Sequence, residues 1–317
     1  MNNEKDKNNH YIPQGILKNF SNNKKIFWYS KLEERKQKQI IKKVAVKSFL
    51  YQYPESKISL ERIFFDKIDS DAPVVIQKII KDRSLENLND NEKSKLLKYI
   101  ASQLIRTPST KNNILNFEET IKDQIHPEIT IVKKDPVSDY LNSIIVNTDL
   151  LINILKEKNA HLLFANEGEN FIIGDAPVLT FNKTDKKTVE IIYEVFPPVI
   201  NYDMYFFPLS EKILLIFYSK NTELRNDISF FRKLHNDFQF INSFRFVFSK
   251  NEKDLDKEIE KYFENCFMMI ETYSPELIKN GTVRKGDRLS ILQPVIKLAD
   301  NVKLQIKECY LDSLKSK

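Results

Sequence analysis

Apolar positions along this chain change their spacing repeatedly, and each change marks a different kind of element. Behind Pro13, the residues Ile16, Leu17 and Phe20 fall on one helical face. Proline suits the first position of a short helix, because the N–H it lacks would have no partner there. Residues 25–32 (KIFWYSKL) alternate and are rich in aromatics, which predicts a strand. A charged turn over 33–38 leads to a second β-like stretch, 39–48, and the two should pair as a hairpin. From Ser59 to Ile129 the apolar residues recur at helical spacing. Ser59 is placed to cap a helix carrying Leu60, Ile63, Phe64 and Ile68, which Pro73 should break or kink before 74–80 resumes. Leu96, Leu97, Ile100 and Leu104 define an amphipathic helix over 91–106, stopped by Thr107–Pro108. Further helices are expected from Ser109 toward Gln124 and between Pro136 and Lys158.

At His161 the texture turns to strand. HLLFANEG, ENFIIGDAPVLTFN, TVEIIYEVF, MYFFPLS and KILLIFYSK are short apolar runs separated by turn residues, and predict a sheet of about five strands. Helical spacing returns over 221–249, where Ile228, Phe231, Leu234, Phe238 and Ile241 form an inward stripe. A second helix follows over 255–263, and two more strands are expected from Thr282 onward. The expected class is α+β, a central helical bundle packed on a mixed, mainly antiparallel sheet. One domain would span 1–250, with the hairpin, a bundle over 59–158, a sheet over 161–220 and a helix over 222–249. Residues 251–317 would extend it with a helix and strands on the same core.

Composition narrows the chemistry. There are 5 glycines and no GxGxxG or GxxxxGK[ST] string, which disfavours the two commonest glycine-dependent phosphate cradles. Cys266 and Cys309 form no CxxC pair, and the four histidines lack zinc-ligand spacing. His126, His161 and His235 read as loop, strand and core histidines, and Cys266 as a buried thiol. The polar stretch 1–9 carries no signal-peptide pattern and the longest apolar runs fall short of a membrane span, so a cytoplasmic protein with no membrane partner is expected. Net charge is +6, from 50 basic and 44 acidic residues. Such a balance fits a lysine-rich solvated surface, and supports a nucleic-acid groove only where the cations cluster. Lys93, Lys95, Lys98, Arg106, Lys111 and Lys122 are where that cluster is expected.

Four blocks together resemble a bacterial family known as domain-of-unknown-function 4238. They are His10–Tyr11–Ile12–Pro13–Gln14 with Leu17–Lys18–Asn19–Phe20, then Arg106–Thr107–Pro108, then Phe171–Ile172–Ile173–Gly174–Asp175–Ala176–Pro177–Val178, then Phe207–Pro208–Leu209–Ser210. Their order agrees with the family's over roughly residues 8 to 250. Ala176 stands where the family often has Asn. The resemblance implies a shared fold and site but no established reaction; the family's general setting adds phage defence or a toxin role.

Chemistry is therefore argued from residue types. His10 precedes the proline-started helix, and imidazole alone has an unperturbed pKa near neutrality. It is the leading general acid or base; the alternative is a ring that fixes the turn through a carbonyl. Gln14, four residues on, would orient that ring or a substrate, or cap the helix. Asp175 closes an apolar strand, where a carboxylate is rigidly placed for catalysis or a metal, or simply makes an Asx-turn before Pro177. Arg106 suits bidentate binding of phosphate, and also complements the end of its helix. Gln103 shares its face. Glu61 resembles a family position, though a first-turn Glu favours a helix unaided.

The leading expectation is an enzyme acting on a phosphate-containing substrate, a nuclease on RNA or DNA, with a divalent cation as the cofactor to test. The alternative is a non-catalytic module that binds a ligand, a partner protein or a second copy. The readings part on geometry: His10, Arg106 and Asp175 together in an open cleft favour the enzyme.

Overall fold

The computed structural model describes residues 8–31, 33–54, 58–108, 110–111, 135–184, 188–190, 202–222, 224 and 227–265. The expected helix from Ser109 toward Gln124, the run around Cys266, His126, Lys122 and the strands expected after Thr282 lie outside these residues.

Strand β1 (Asn8–His10) pairs antiparallel with β4 (Val46–Ser48), His10 facing Val46 and Asn9 facing Lys47. The short helix α1 (Gln14–Leu17) starts behind Pro13 as expected and runs into a 3-10 turn, Lys18–Phe20, burying Ile16, Leu17 and Phe20. The hairpin forms between β2 (Lys25–Ser30) and β3 (Arg35–Ile40), so the charged stretch after Glu33 is strand and not turn. It can be, because β3 is a sheet edge, where Lys38 stays exposed and Lys36 pairs with Glu252 and Asp256.

Segment Glu61–Phe65 is wound as a π-helix and leads into α2 (Asp66–Asp82), which passes through Pro73 unbroken. The break expected at Pro73 does not occur. Ala72, Val75, Ile76 and Ile79 bury around the proline, and that packing offsets one missing backbone bond. Pro73 also receives α1: a Cβ on Gly15 would come within 2.5 Å of its ring, so glycine is required for the approach. Helix α3 (Asp90–Ile105) opens with a reciprocal capping box between Asn89 and Glu92. Helix α4 (Pro136–Lys156) is capped by Asp135, with proline at its start.

The strand-rich region supplies β5 (Asn159–Phe164), β6 (Ile173–Gly174), β7 (Leu179–Thr184), β8 (Thr188–Glu190), β9 (Met204–Ser210) and β10 (Ile213–Tyr218). Five of them form one sheet in the order β5-β10-β9-β7-β8. All pairings among the described strands are antiparallel, in keeping with the mainly antiparallel sheet expected. Pro208 lies in the central strand β9, next to a register shift opposite Ile213 and Leu214; a bulge is where a strand tolerates proline.

The helix expected over 222–249 is shorter: α5 (Ile228–Asn242), capped by Asp227, gives way to β11 (Phe246–Ser249). Strand β11 pairs with β2 on one side and β6 on the other, completing a second sheet, β3-β2-β11-β6. Helix α6 (Glu252–Asn265) follows. The class is α+β, with three antiparallel sheets among the described residues, counting the β1–β4 ribbon.

One face of the five-stranded sheet, through Leu162, Tyr205, Phe207 and Leu215, shares a core with α2, α3 and α4. The other, through Phe181, Phe206 and Ile216, packs on Phe231 of α5. Burial on both faces is why β9 and β10 read as continuous apolar runs and not as alternations.

Candidate functional site

The blocks singled out in the sequence meet in space. Arg106, at the C-terminal end of α3, has no exposed surface. Its Nη1 and Nη2 donate to the two carboxylate oxygens of Asp69 at 2.7 and 2.8 Å. Nη2 also donates to the His10 carbonyl (3.1 Å) and Nε to the Tyr11 carbonyl (3.2 Å). The guanidinium lies 4.4 Å from the centre of the Phe65 ring. Gln103, also fully buried, donates to the Tyr11 carbonyl (3.1 Å) and accepts from Arg106 Nε (2.9 Å). Tyr51 donates its hydroxyl to the Arg106 carbonyl at 2.9 Å. Burial opposes the Arg106 charge, but Asp69 outweighs it and the guanidinium is held above its ordinary value. The predicted phosphate ligand is thus an internal fastener, tying the chain at 10–11 to the helices.

Asp175 is likewise internal, at 1% exposure. Its carboxylate accepts the backbone N–H groups of Phe244 (2.7 Å), Arg245 (2.7 Å) and Phe246 (2.9 Å). Burial pushes the Asp175 carboxyl above its usual range, against the pull of those three donors and of Lys31. The acid that was expected to be catalytic caps the passage from α5 into β11. This cap also explains why the helix stops at Asn242. Nearby, the buried Lys31 ammonium donates to the carbonyls of Phe240 (3.0 Å) and Ser243 (2.7 Å), neutralising the helix end.

His10 differs from both. Its ring bonds the backbone of Lys42, and Nε2 is buried with no hydrogen-bond partner. Burial lowers its pKa, and the Arg106 and Lys42 charges add to that, against the opposing Lys42 backbone bond. A carbonyl at one ring nitrogen places the hydrogen there and leaves a lone pair on the other. Gln14 sits exposed at the start of α1. Glu61 opens the π-helical turn, close enough to Tyr51 to help raise its hydroxyl pKa. His10, Arg106 and the Asp175 region are therefore neighbours through residues 10–11, but Arg106 and Asp175 face the interior and not an open cleft.

Helix α5 carries a set of buried polar side chains, of which the sequence reading singled out only His235, as a core histidine. His235 Nε2 donates to the Ile172 carbonyl (3.0 Å), and Asn236 takes the Ile172 N–H (3.1 Å) and donates to the Asn170 carbonyl (3.0 Å). Gln239 donates to the Ala176 carbonyl at 2.7 Å. These bonds satisfy an irregular backbone that only briefly joins a ladder. A Cβ on Gly174 would lie 1.7 Å from Ser243 Oγ, so the helix can approach only a glycine. The signal was present: His235, Asn236, Gln239 and Ser243 repeat at helical spacing as a polar stripe. Asp69 left no comparable trace, since an acid early in a helix is common.

The basic cluster expected along α3 is paired off. Lys95 bridges to Asp71 (3.2 Å), Lys93 to Asp90 (3.9 Å), and Lys98 lies 5.1 Å from the centre of the Phe64 ring. A divalent cation does not fit Asp175, whose oxygens already accept three backbone bonds. No group of three or more His, Cys, Asp or Glu residues suited to a metal occurs among the described residues. Nor is any helix among them long and apolar enough to cross a membrane.

An α+β fold whose N-terminal ribbon is fastened by a buried Arg–Asp pair, with a strand of the Gly-Asp type read by a polar helix face, is the class of protein defined here. The chain belongs to the family described as protein of unknown function (DUF4238), which it matches over residues 8–253. No curated protein and no solved structure matches it.

Proposed function

We propose that this chain is an enzyme acting on a phosphate-containing substrate, with RNA or DNA as the substrate class, and that His10 is its proton acceptor. The observation that carries the reading is the His10 ring, anchored at the Lys42 backbone, kept neutral by burial and nearby cations, with Nε2 left without a partner. Such an imidazole accepts a proton at neutral pH without first losing one. Nε2 is covered in this state, so substrate reaches it only when a neighbouring group moves aside. The exposed Lys42 supplies positive charge beside it. Arg106 and Asp175 enter as positioning residues, one holding the carbonyls at 10 and 11, the other the turn at 244–246. The reading takes the activity to be cytoplasmic, which two unpatterned cysteines support. The defence or toxin setting rests on family resemblance alone.

The test is a nuclease assay on purified protein, with single- and double-stranded RNA and DNA in Mg²⁺, Mn²⁺ or EDTA. His10→Asn should lower turnover by about 100-fold or more at unchanged melting temperature. Wild-type turnover should fall on acidification, with a midpoint below the ordinary imidazole value, since only neutral His10 accepts the proton. Turnover that survives in His10→Asn removes His10 from the chemistry. The second reading, a non-catalytic binding module, is favoured by one observation: Arg106 and Asp175 both direct their polar atoms into the fold.

A further inference from the structure

The β1–β4 ribbon has a second face, opposite the one that carries the His10 side chain. Successive side chains of a strand point to opposite sides, so Asn9 and its cross-strand partner Lys47 share that face. Asn9 is fully buried. Its Oδ1 accepts the Tyr51 N–H at 3.4 Å, while Nδ2 is buried with no hydrogen-bond partner. An amide donor left so is unfavourable, and a bound acceptor removes that penalty. Arg245 repeats the pattern. One of its terminal nitrogens donates to Glu33 and its guanidinium lies 4.7 Å from the centre of the Phe246 ring, but Nε is buried without a partner. Lys111 reaches the same neighbourhood, its ammonium 3.3 Å from the Leu50 carbonyl.

We propose that Asn9, Lys47 and Arg245 form an oxyanion site, with Lys111 at its edge, that takes a phosphate group. All four offer donors and none a free acceptor, apart from the Asn9 oxygen already held by Tyr51. No carboxylate pairs with Lys47 among the described residues. Loss of solvent and the nearby Arg245 hold the Lys47 ammonium below its ordinary value. Lys111 is depressed by burial and by Lys47 in turn, with Asp135 opposing. Cations crowded in this way are the groups a shared anion stabilises. The nearby Asp175 does not fill that role, because its oxygens accept the backbone N–H groups of 244–246. Those bonds instead fix the backbone from which Arg245 projects. The site stands apart from the His10 reading, since it lies on the other face of the ribbon and needs no proton transfer.

Inorganic phosphate is the probe, titrated into the full chain by calorimetry at constant ionic strength, with chloride as the control salt. Saturable binding is expected, weakened about tenfold or more by Lys47→Ala and by Arg245→Gln. Lys47 is exposed, so its variant should fold normally, and Asn9→Asp should abolish binding by placing a carboxylate in the site. Equal affinity in wild type and Lys47→Ala overturns the proposal, as does an effect that chloride reproduces. Binding lost in His10→Asn but kept in Lys47→Ala assigns the anion to the opposite face and overturns it too. Failure of the nuclease assay leaves this result unaffected, which keeps the two readings separable.

Discussion

Arg106 hydrogen-bonds to Asp69, His10 and Tyr11 and reaches no solvent, so its contribution is to structure before anything else. Removing one member of a buried ion pair leaves the other charged and poorly solvated, which costs about 3–5 kcal/mol. Arg106→Met should therefore destabilise the protein by that amount in urea unfolding. Adding Asp69→Leu to the same chain should recover a large part, because the orphaned carboxylate is then gone. If the single variant unfolds like wild type, the fastening role assigned to Arg106 is wrong. The residue type was legible in the sequence: an arginine ending a helix at Thr107–Pro108. Its orientation was not, because the acid that claims it lies 37 positions away in α2.

Among elements, α5 shows how a helix can support a neighbouring backbone that has few partners of its own. Its apolar stripe covers one face of the five-stranded sheet, and its polar stripe meets residues 170–176. Close approach at Gly174 is the condition for both. Gly174→Ala should cost about 1–3 kcal/mol as an overpacked contact. Ser243→Ala in the same chain should return part of the loss, because it removes the atom 1.7 Å from the added Cβ. Thermal melts of the two variants check this; a harmless Gly174→Ala would mean the helix can shift outward freely. The bulge of β9 plays a smaller version of the same part. The Leu209 carbonyl accepts from Asn19 at 2.9 Å, so the Pro-Leu-Ser block meets the N-terminal one.

For the molecule as a whole, the buried histidine links stability to pH. His235 is fully buried, and burial holds its pKa down to about 4 despite the Ile172 carbonyl. The unfolded chain, with an ordinary histidine near 6.5, binds the extra proton first as pH falls. The stabilising contribution is therefore complete above about 6.5 and is lost as pH falls toward the folded value, by about 3 kcal/mol in total. His235→Gln should flatten the pH dependence of unfolding free energy across that window. A slope unchanged by the substitution would assign the acid sensitivity to other groups.

What the sequence determined by itself was local: the helix start at Pro13, the amphipathic stripes, strand β2, and the motif blocks that mark the family. Each follows from backbone geometry or from periodicity within a few residues. Tertiary structure decided what no local pattern encodes. It carried α2 through Pro73, ended α5 by an aspartate some 70 positions earlier, and assigned β6 and β11 to a sheet begun near residue 25. It also turned Arg106 and Asp175 inward while leaving His10 Nε2 and Asn9 Nδ2 without partners. The physical reason is that a polar side chain's role depends on which donors and acceptors surround it once water has left, and those come from distant parts of the chain.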